Sequence, residues 1–85
     1  MSDYYPVYLN LKGRTCVIIG GGRVAEGKIS RLREAGAGIT VISPQVTPVI
    51  RAAAQEGHLE WHDREYRDGD LKQAFLAIAA TNVRS

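Results

Sequence analysis

The stretch Thr15-Cys16-Val17-Ile18-Ile19-Gly20-Gly21-Gly22-Arg23-Val24-Ala25 decides the fold. Four apolar residues, Cys16 to Ile19, lead into three glycines, and a helical pattern follows at once. That order is what a phosphate-binding turn between a strand and a helix requires. The first glycine, Gly20, makes the tight turn, and Gly22 lets the backbone approach a pyrophosphate. The third fixed position must be small so that helix and strand can touch, and here it is Ala25. A diphosphate would sit on the free N–H groups of the first helical turn, at the positive end of the helix dipole. Arg23 is poorly placed for that dipole but well placed for a bound anion.

The rest of the chain agrees with this junction. Lys12-Gly13-Arg14 reads as the turn into the first core strand, Thr15–Ile19, whose continuous apolar run suits a parallel strand covered on both faces. After the glycines, Val24, Ala25, Ile29, Leu32 and Ala35 fall at helical spacing, and Gly36 stands where a helix ends. Gly27 costs that helix about 1 kcal/mol relative to alanine, which predicts a close packing contact as compensation. Ile39–Ile42 is the second strand and ends at Ser43-Pro44-Gln45. A dinucleotide-binding sheet often carries an acid there for the adenosine ribose. None is present, no Arg or Lys stands nearby for a 2′-phosphate, and Ser43 or Gln45 is left to meet the ribose. The choice between NAD and NADP is therefore open on the residues.

Thr47-Pro48 starts a second helix with an N-cap and an N1 proline, with Val49, Ile50, Ala53 and Ala54 on its apolar face and Gly57 at its end. His58-Leu59-Glu60-Trp61-His62 alternates, as an edge strand does. His58, Glu60 and His62 share its polar face and are expected to meet solvent rather than a metal. Asp63–Tyr66 is a charged loop, and Asp68 or Asp70 is placed to cap a short helical turn around Leu71–Phe75. Leu76–Ala80 is a central fourth strand ending at Ala80-Thr81-Asn82. Ahead of all this, Tyr4–Leu11 reads as extended, with Pro6 arguing for an edge or lead-in position.

The elements alternate β-α-β-α-β-(α)-β, which predicts a doubly wound parallel α/β sheet of strand order 3-2-1-4, cut off after the fourth strand. The ends of the first and fourth strands flank the crevice, so Gly20–Val24 and Ala80–Asn82 should face one ligand from two sides. The fourth strand would expose an unpaired edge, through which the chain is expected to self-associate.

Composition bounds the rest. Eighty-five residues at 45% hydrophobic and 24% charged describe one short globular domain. A net charge of +2 with no basic block gives no footprint for nucleic acid or an anionic membrane. The single cysteine, Cys16, lies in the apolar run and reads as a small buried hydrophobe. No apolar stretch approaches ~18–20 residues and no signal-peptide pattern opens the chain, so a cytoplasmic protein is expected.

With these motifs on the page, the chain resembles the N-terminal dinucleotide-binding domain of the siroheme synthase family, which includes stand-alone precorrin-2 dehydrogenase/sirohydrochlorin ferrochelatases. The resemblance covers nearly the whole chain. It rests on Tyr5-Pro6-Val7-Tyr8-Leu9-Asn10-Leu11, on Val17 to Gly22 with Val24-Ala25 and Lys28, on Gly36-Ala37, on Ser43-Pro44, and on Leu76 to Thr81. It implies a Rossmann-like fold, residues 1–85 forming part of an NAD(P)-binding domain, and oxidation of precorrin-2 to sirohydrochlorin with NAD as hydride acceptor. It implies ferrous-iron insertion for many members, and a homodimer built through later domains. By matching positions, Gly20, Gly22, Arg23 and Val24 would contact the pyrophosphate. Ser43, Pro44 and Gln45 would line the adenosine end, and Ala80, Thr81 and Asn82 the nicotinamide side. The family's acidic residues after A-A-T are replaced here by Asn82-Val83, and its catalytic aspartate lies in a later strand region, so no catalytic residue is assigned within residues 1–85. Read without the resemblance, the turn fits a non-catalytic nucleotide-sensing module or a mainly structural domain as well.

Overall fold

The computed structural model describes residues 10–72 and 74–80. Four strands and two helices follow in the order β1 (Thr15–Ile19), α1 (Arg23–Glu34), β2 (Gly38–Ile42), α2 (Pro48–Gln55), β3 (Glu60–His62) and β4 (Leu76–Ala79). They form one parallel sheet of order β3-β2-β1-β4. That is the order the alternation predicts. β4 lies beside β1 and among the described residues is paired on that side only, the unpaired edge expected of a sheet that stops at its fourth strand.

The register decides which residues form the core. Cys16 stands opposite Ile39 and Leu76, and Ile18 opposite Val41 and Ile78. These side chains share the sheet face that receives Ala25, Ile29 and Leu32 of α1 and Ile50 of α2 in one buried cluster. Ile18, Ile50, Val41 and Cys16 are its fully buried members. Burying each large aliphatic side chain of that set contributes about 1.5–3 kcal/mol. On the opposite face Val17 and Ile42 are buried as well, so β1 is covered on both sides, as its unbroken apolar run requires.

α1 buries the stripe Ala25, Ile29, Leu32, spaced i, i+4, i+7. Val24 and Ala35 do not join it. Val24 sits about 100° around the helix from Ala25 and is 43% exposed, and Ala35 is the exposed C-cap. Gly36 takes the left-handed conformation that ends the helix. Gly27 departs from expectation: no atom of the described residues lies within 4 Å of where its Cβ would be, so no packing contact offsets its helical cost. In α2, Thr47 Oγ1 accepts the Ile50 N–H at 3.3 Å and Pro48 follows as N1. Val49 turns to solvent while Ile50 is buried.

Two further boundaries shift. β3 is only Glu60–His62, and His58 belongs to the turn after α2, where its N–H donates to the Ala53 carbonyl. Around Leu71–Phe75 there is no helix among the described residues. A run of i→i−3 turns, Asp70 to Arg67, Lys72 to Gly69 and Ala74 to Leu71, takes its place, with Gly69 at a φ of 94°. Asp70 does not cap forward. Its carboxylate accepts the backward Arg67 N–H at 2.6 Å and both guanidinium nitrogens of Arg64 at 2.8 Å. The lead-in Tyr4–Leu11 lies outside the described residues except for Asn10 and the buried Leu11.

Candidate functional site: the glycine turn and the loop after β2

Backbone conformation assigns each glycine of the triplet a different task. Gly20 has a φ of 122°, a value a residue with a Cβ rarely takes, and it turns the chain off the end of β1 while its N–H still donates to the Ile42 carbonyl at 3.1 Å. Gly22 is the N-cap of α1, at φ −93° and ψ −160°, extended backbone open to any residue. It supplies no side-chain cap, and the amides of Arg23, Val24 and Ala25 have no partner among the described residues. The helix therefore presents unpaired donors and its positive dipole end beside the sheet's C-terminal edge. Ala25 is fully buried, so helix and strand meet at the small third position.

Gly21 has the role that the spacing of the motif does not reveal. A Cβ there would collide with the Gln45 carbonyl oxygen and stand 2.7 Å from Val46 Cγ1. The Gly21 carbonyl in turn accepts the Thr47 N–H at 2.9 Å. The loop after β2 is thus closed directly onto the glycine turn. The one signal for this in the sequence is that the residue between Gly20 and Gly22 is itself a glycine.

The loop has its own internal order. Ser43 is buried, and its hydroxyl donates to the Gln45 carbonyl at 2.6 Å while accepting the Gln45 N–H at 3.4 Å. The hydroxyl proton is therefore committed to the loop backbone, leaving the exposed Gln45 side chain and Pro44 facing outward. Gly21, Gly22, Ser43, Pro44, Gln45, Val46 and Thr47 line an open cleft of about 490 Å³. Arg23 and Val24, next in the chain after Gly22, are exposed but do not line it. Ala80 is buried at the end of β4, with its N–H donating to the Ile19 carbonyl at 2.9 Å, which brings it to the strand end from which Gly20 departs. Thr81 and Asn82 lie outside the described residues. Of the predicted site, Gly22, Ser43, Pro44 and Gln45 line this cleft, whereas Gly20, Arg23 and Val24 only adjoin it in the chain. Val24 lines a separate groove with Gly27, Lys28 and Arg31, and Ala80 lies at the strand end beside Gly20.

The two histidines are kept apart. His58 Nε2 lies 3.2 Å from Glu56 and His62 Nε2 lies 2.7 Å from Glu60, each with its own exposed carboxylate. No cluster of three metal-ligating side chains occurs among the described residues. Burial pushes the Cys16 thiol above its ordinary range, which keeps it protonated and inert.

A parallel sheet in the order 3-2-1-4 with a glycine turn at the β1–α1 junction, unpaired helix-start amides and a cleft against the β2 loop defines a Rossmann-like nucleotide-binding domain. Comparison with known proteins agrees. Residues 7–85 match the family described as "Putative NAD(P)-binding". Siroheme synthase from Thioalkalivibrio sulfidiphilus is 41% identical over 80 residues, 94% of this chain and 16% of that protein. Siroheme synthase from Photorhabdus laumondii is 40% identical over 82 residues, 96% of this chain and 17% of that protein. Among solved structures, SirC, a precorrin-2 dehydrogenase, superposes with a TM-score of 0.88 at 35% identity, over 94% of this chain and 40% of that one. The chain belongs to the NAD(P)-binding family that includes the N-terminal domain of siroheme synthases. It spans only 16–17% of the length of those two curated relatives.

Proposed function

We propose that this chain is the NAD-binding part of a precorrin-2 dehydrogenase, which oxidises precorrin-2 to sirohydrochlorin as a cytoplasmic homodimer. The observation that carries the reading is the helix start at Gly22–Ala25, whose unpaired amides open beside the cleft formed with Ser43–Thr47. The donor set fits a diphosphate: backbone N–H groups, a helix dipole and the exposed Arg23, with no carboxylate lining the cleft. Similarity to siroheme synthases and to a precorrin-2 dehydrogenase supports the choice of reaction.

In this reading Gly20, Gly22, Arg23 and Val24 hold the pyrophosphate, Ser43, Pro44 and Gln45 flank the adenosine, and Ala80, Thr81 and Asn82 the nicotinamide. NAD, when bound, supplies the acceptor for the hydride leaving precorrin-2. The chain's own contribution is to orient that acceptor and to keep the diphosphate on fixed dipoles rather than on water. The tetrapyrrole site, the group that takes the proton and any iron insertion belong to the complete protein. Gln45 in place of a ribose-binding acid leaves the NAD preference to be measured, since no side chain lining the cleft repels a 2′-phosphate.

Calorimetric titration tests the reading. Saturable binding of NAD⁺ or NADH, tighter than that of NADP⁺, is the expected result, and no saturation up to millimolar NAD⁺ by the folded chain would overturn it.

A further inference from the structure

The single tryptophan, Trp61, sits in the short edge strand β3, outside the cleft. Its register partner is Val41, so its ring lies on the helix-bearing face, half-buried against the core cluster. The Arg51 guanidinium of α2 stands 5.7 Å from the ring centroid. Its indole N–H does not point to solvent. It donates to the Ser43 carbonyl at 2.9 Å, while the Ser43 N–H donates to the His62 carbonyl at 3.1 Å. Both backbone polar groups of Ser43 are therefore tied to β3.

From Ser43 the restraint runs on into the cleft. The Ser43 hydroxyl holds the Gln45 carbonyl, that carbonyl and Val46 press on the bare Cα of Gly21, and the Thr47 N–H closes on the Gly21 carbonyl. Every link is a short contact between groups with little freedom. The indole N–H, half-buried with its ring against the core cluster, has its acceptor in the Ser43 carbonyl, so a ring held by packing restrains where that carbonyl can be.

We propose that Trp61 is a positioning residue for the dinucleotide site, its indole N–H holding Ser43 so that the 43–47 loop closes on Gly21 and completes the cleft. The inference rests on the dinucleotide-binding reading given above. Trp61 itself does not touch the ligand. It acts through the loop.

The test is Trp61→Phe, which keeps an aromatic ring in the core and removes the donor. Two quantities are read: the Kd for NAD⁺ by calorimetry, and hydrogen exchange of individual amides by NMR. The expected result is a Kd raised about three- to tenfold, the loss of one oriented hydrogen bond. The Thr47 amide should exchange faster, while those of Val17 and Val41 in the core strands keep their protection. An unchanged Kd with an unchanged Thr47 amide would overturn the proposal. So would a uniform acceleration of Thr47, Val17 and Val41 together, which a merely structural role produces. Should Trp61→Phe fail to fold, the isosteric benzothienylalanine at position 61 removes the N–H at constant shape, and the same outcomes apply. If the parent protein itself does not bind NAD⁺, the dinucleotide reading fails and the cofactor-site role with it. The Thr47 amide then still reports whether the brace exists.

Discussion

Three consecutive glycines stand in three different situations, and one of them, Gly21, is invisible to the motif. Gly20 is required by its φ of 122° and Gly21 by its contact with Gln45 and Val46, whereas Gly22 adopts backbone open to any residue. Gly21→Ala should therefore be the costly substitution for folding, destabilising by about 1–3 kcal/mol as the 43–47 loop is pushed away. A urea melt of the variant checks it, and a cost below about 0.5 kcal/mol would mean that the loop yields freely. The spacing G-x-G-x-x-A assigned importance to Gly20, Gly22 and Ala25, and the structure supplies a physical reason at Gly20, by its φ, and at Ala25, by its burial, while the backbone of Gly22 does not require glycine. It was silent on Gly21, because a collision across a loop closure depends on where residues 24 positions later come to lie. Ser43 was legible as a loop residue but not as a buried one: its hydroxyl serves Gln45, and nothing in a single sequence tells a loop's internal hydrogen bond from a ligand contact. Cys16, fully buried with its thiol pushed up, should not react with a disulfide reagent until the protein unfolds. Rapid labelling in native buffer would contradict that placement.

At the scale of elements, periodicity carried the long ones and failed on the short ones. α1 and β1 were readable because several turns or an unbroken apolar run repeat the same signal. The segment from Asp63 to Phe75 offered only scattered acids, and there an ion pair decides the conformation instead. Arg64 clasps Asp70 with both guanidinium nitrogens, and the Arg67 N–H adds a third donor. First the Arg64 hydrogen bonds and then the Arg67 N–H lower the Asp70 carboxyl from 3.8 to about 2. A carboxyl depressed on folding stabilises the native state above its ordinary value, and that contribution is lost as pH falls from about 4 toward 2. Asp70→Asn should accordingly lower stability at neutral pH and flatten its fall across that acid window, as urea midpoints at a series of pH values would record. The opposite expectation holds for Gly27 in α1. With no atom of the described residues within 4 Å of a Cβ, Gly27→Ala should raise stability by about 1 kcal/mol, and a destabilised variant would reveal a contact that this helix face makes elsewhere.

Across the whole molecule, the sheet order followed from the alternation of elements, because parallel pairing leaves few other arrangements. The same order of elements leaves β4 at a margin. β4 is paired only with β1 among the described residues, and Ala77 and Ala79 on it are exposed. A bare parallel edge is a template for another strand. The protein should therefore self-associate as concentration rises, and sedimentation that stays monomeric at millimolar concentration would contradict this.

The central claim is that the amides opening α1 hold the paired phosphates of a dinucleotide. Gly22→Asp tests it most directly, because the two roles of that position pull in opposite directions. Aspartate is a favourable N-cap in the extended backbone that Gly22 already has, yet its carboxylate would occupy the anion's place. Measured together by calorimetry and thermal melting, the variant should keep or raise its Tm and lose NAD⁺ binding at least a hundredfold. A variant that stays folded and binds NAD⁺ as tightly as the parent would contradict the account.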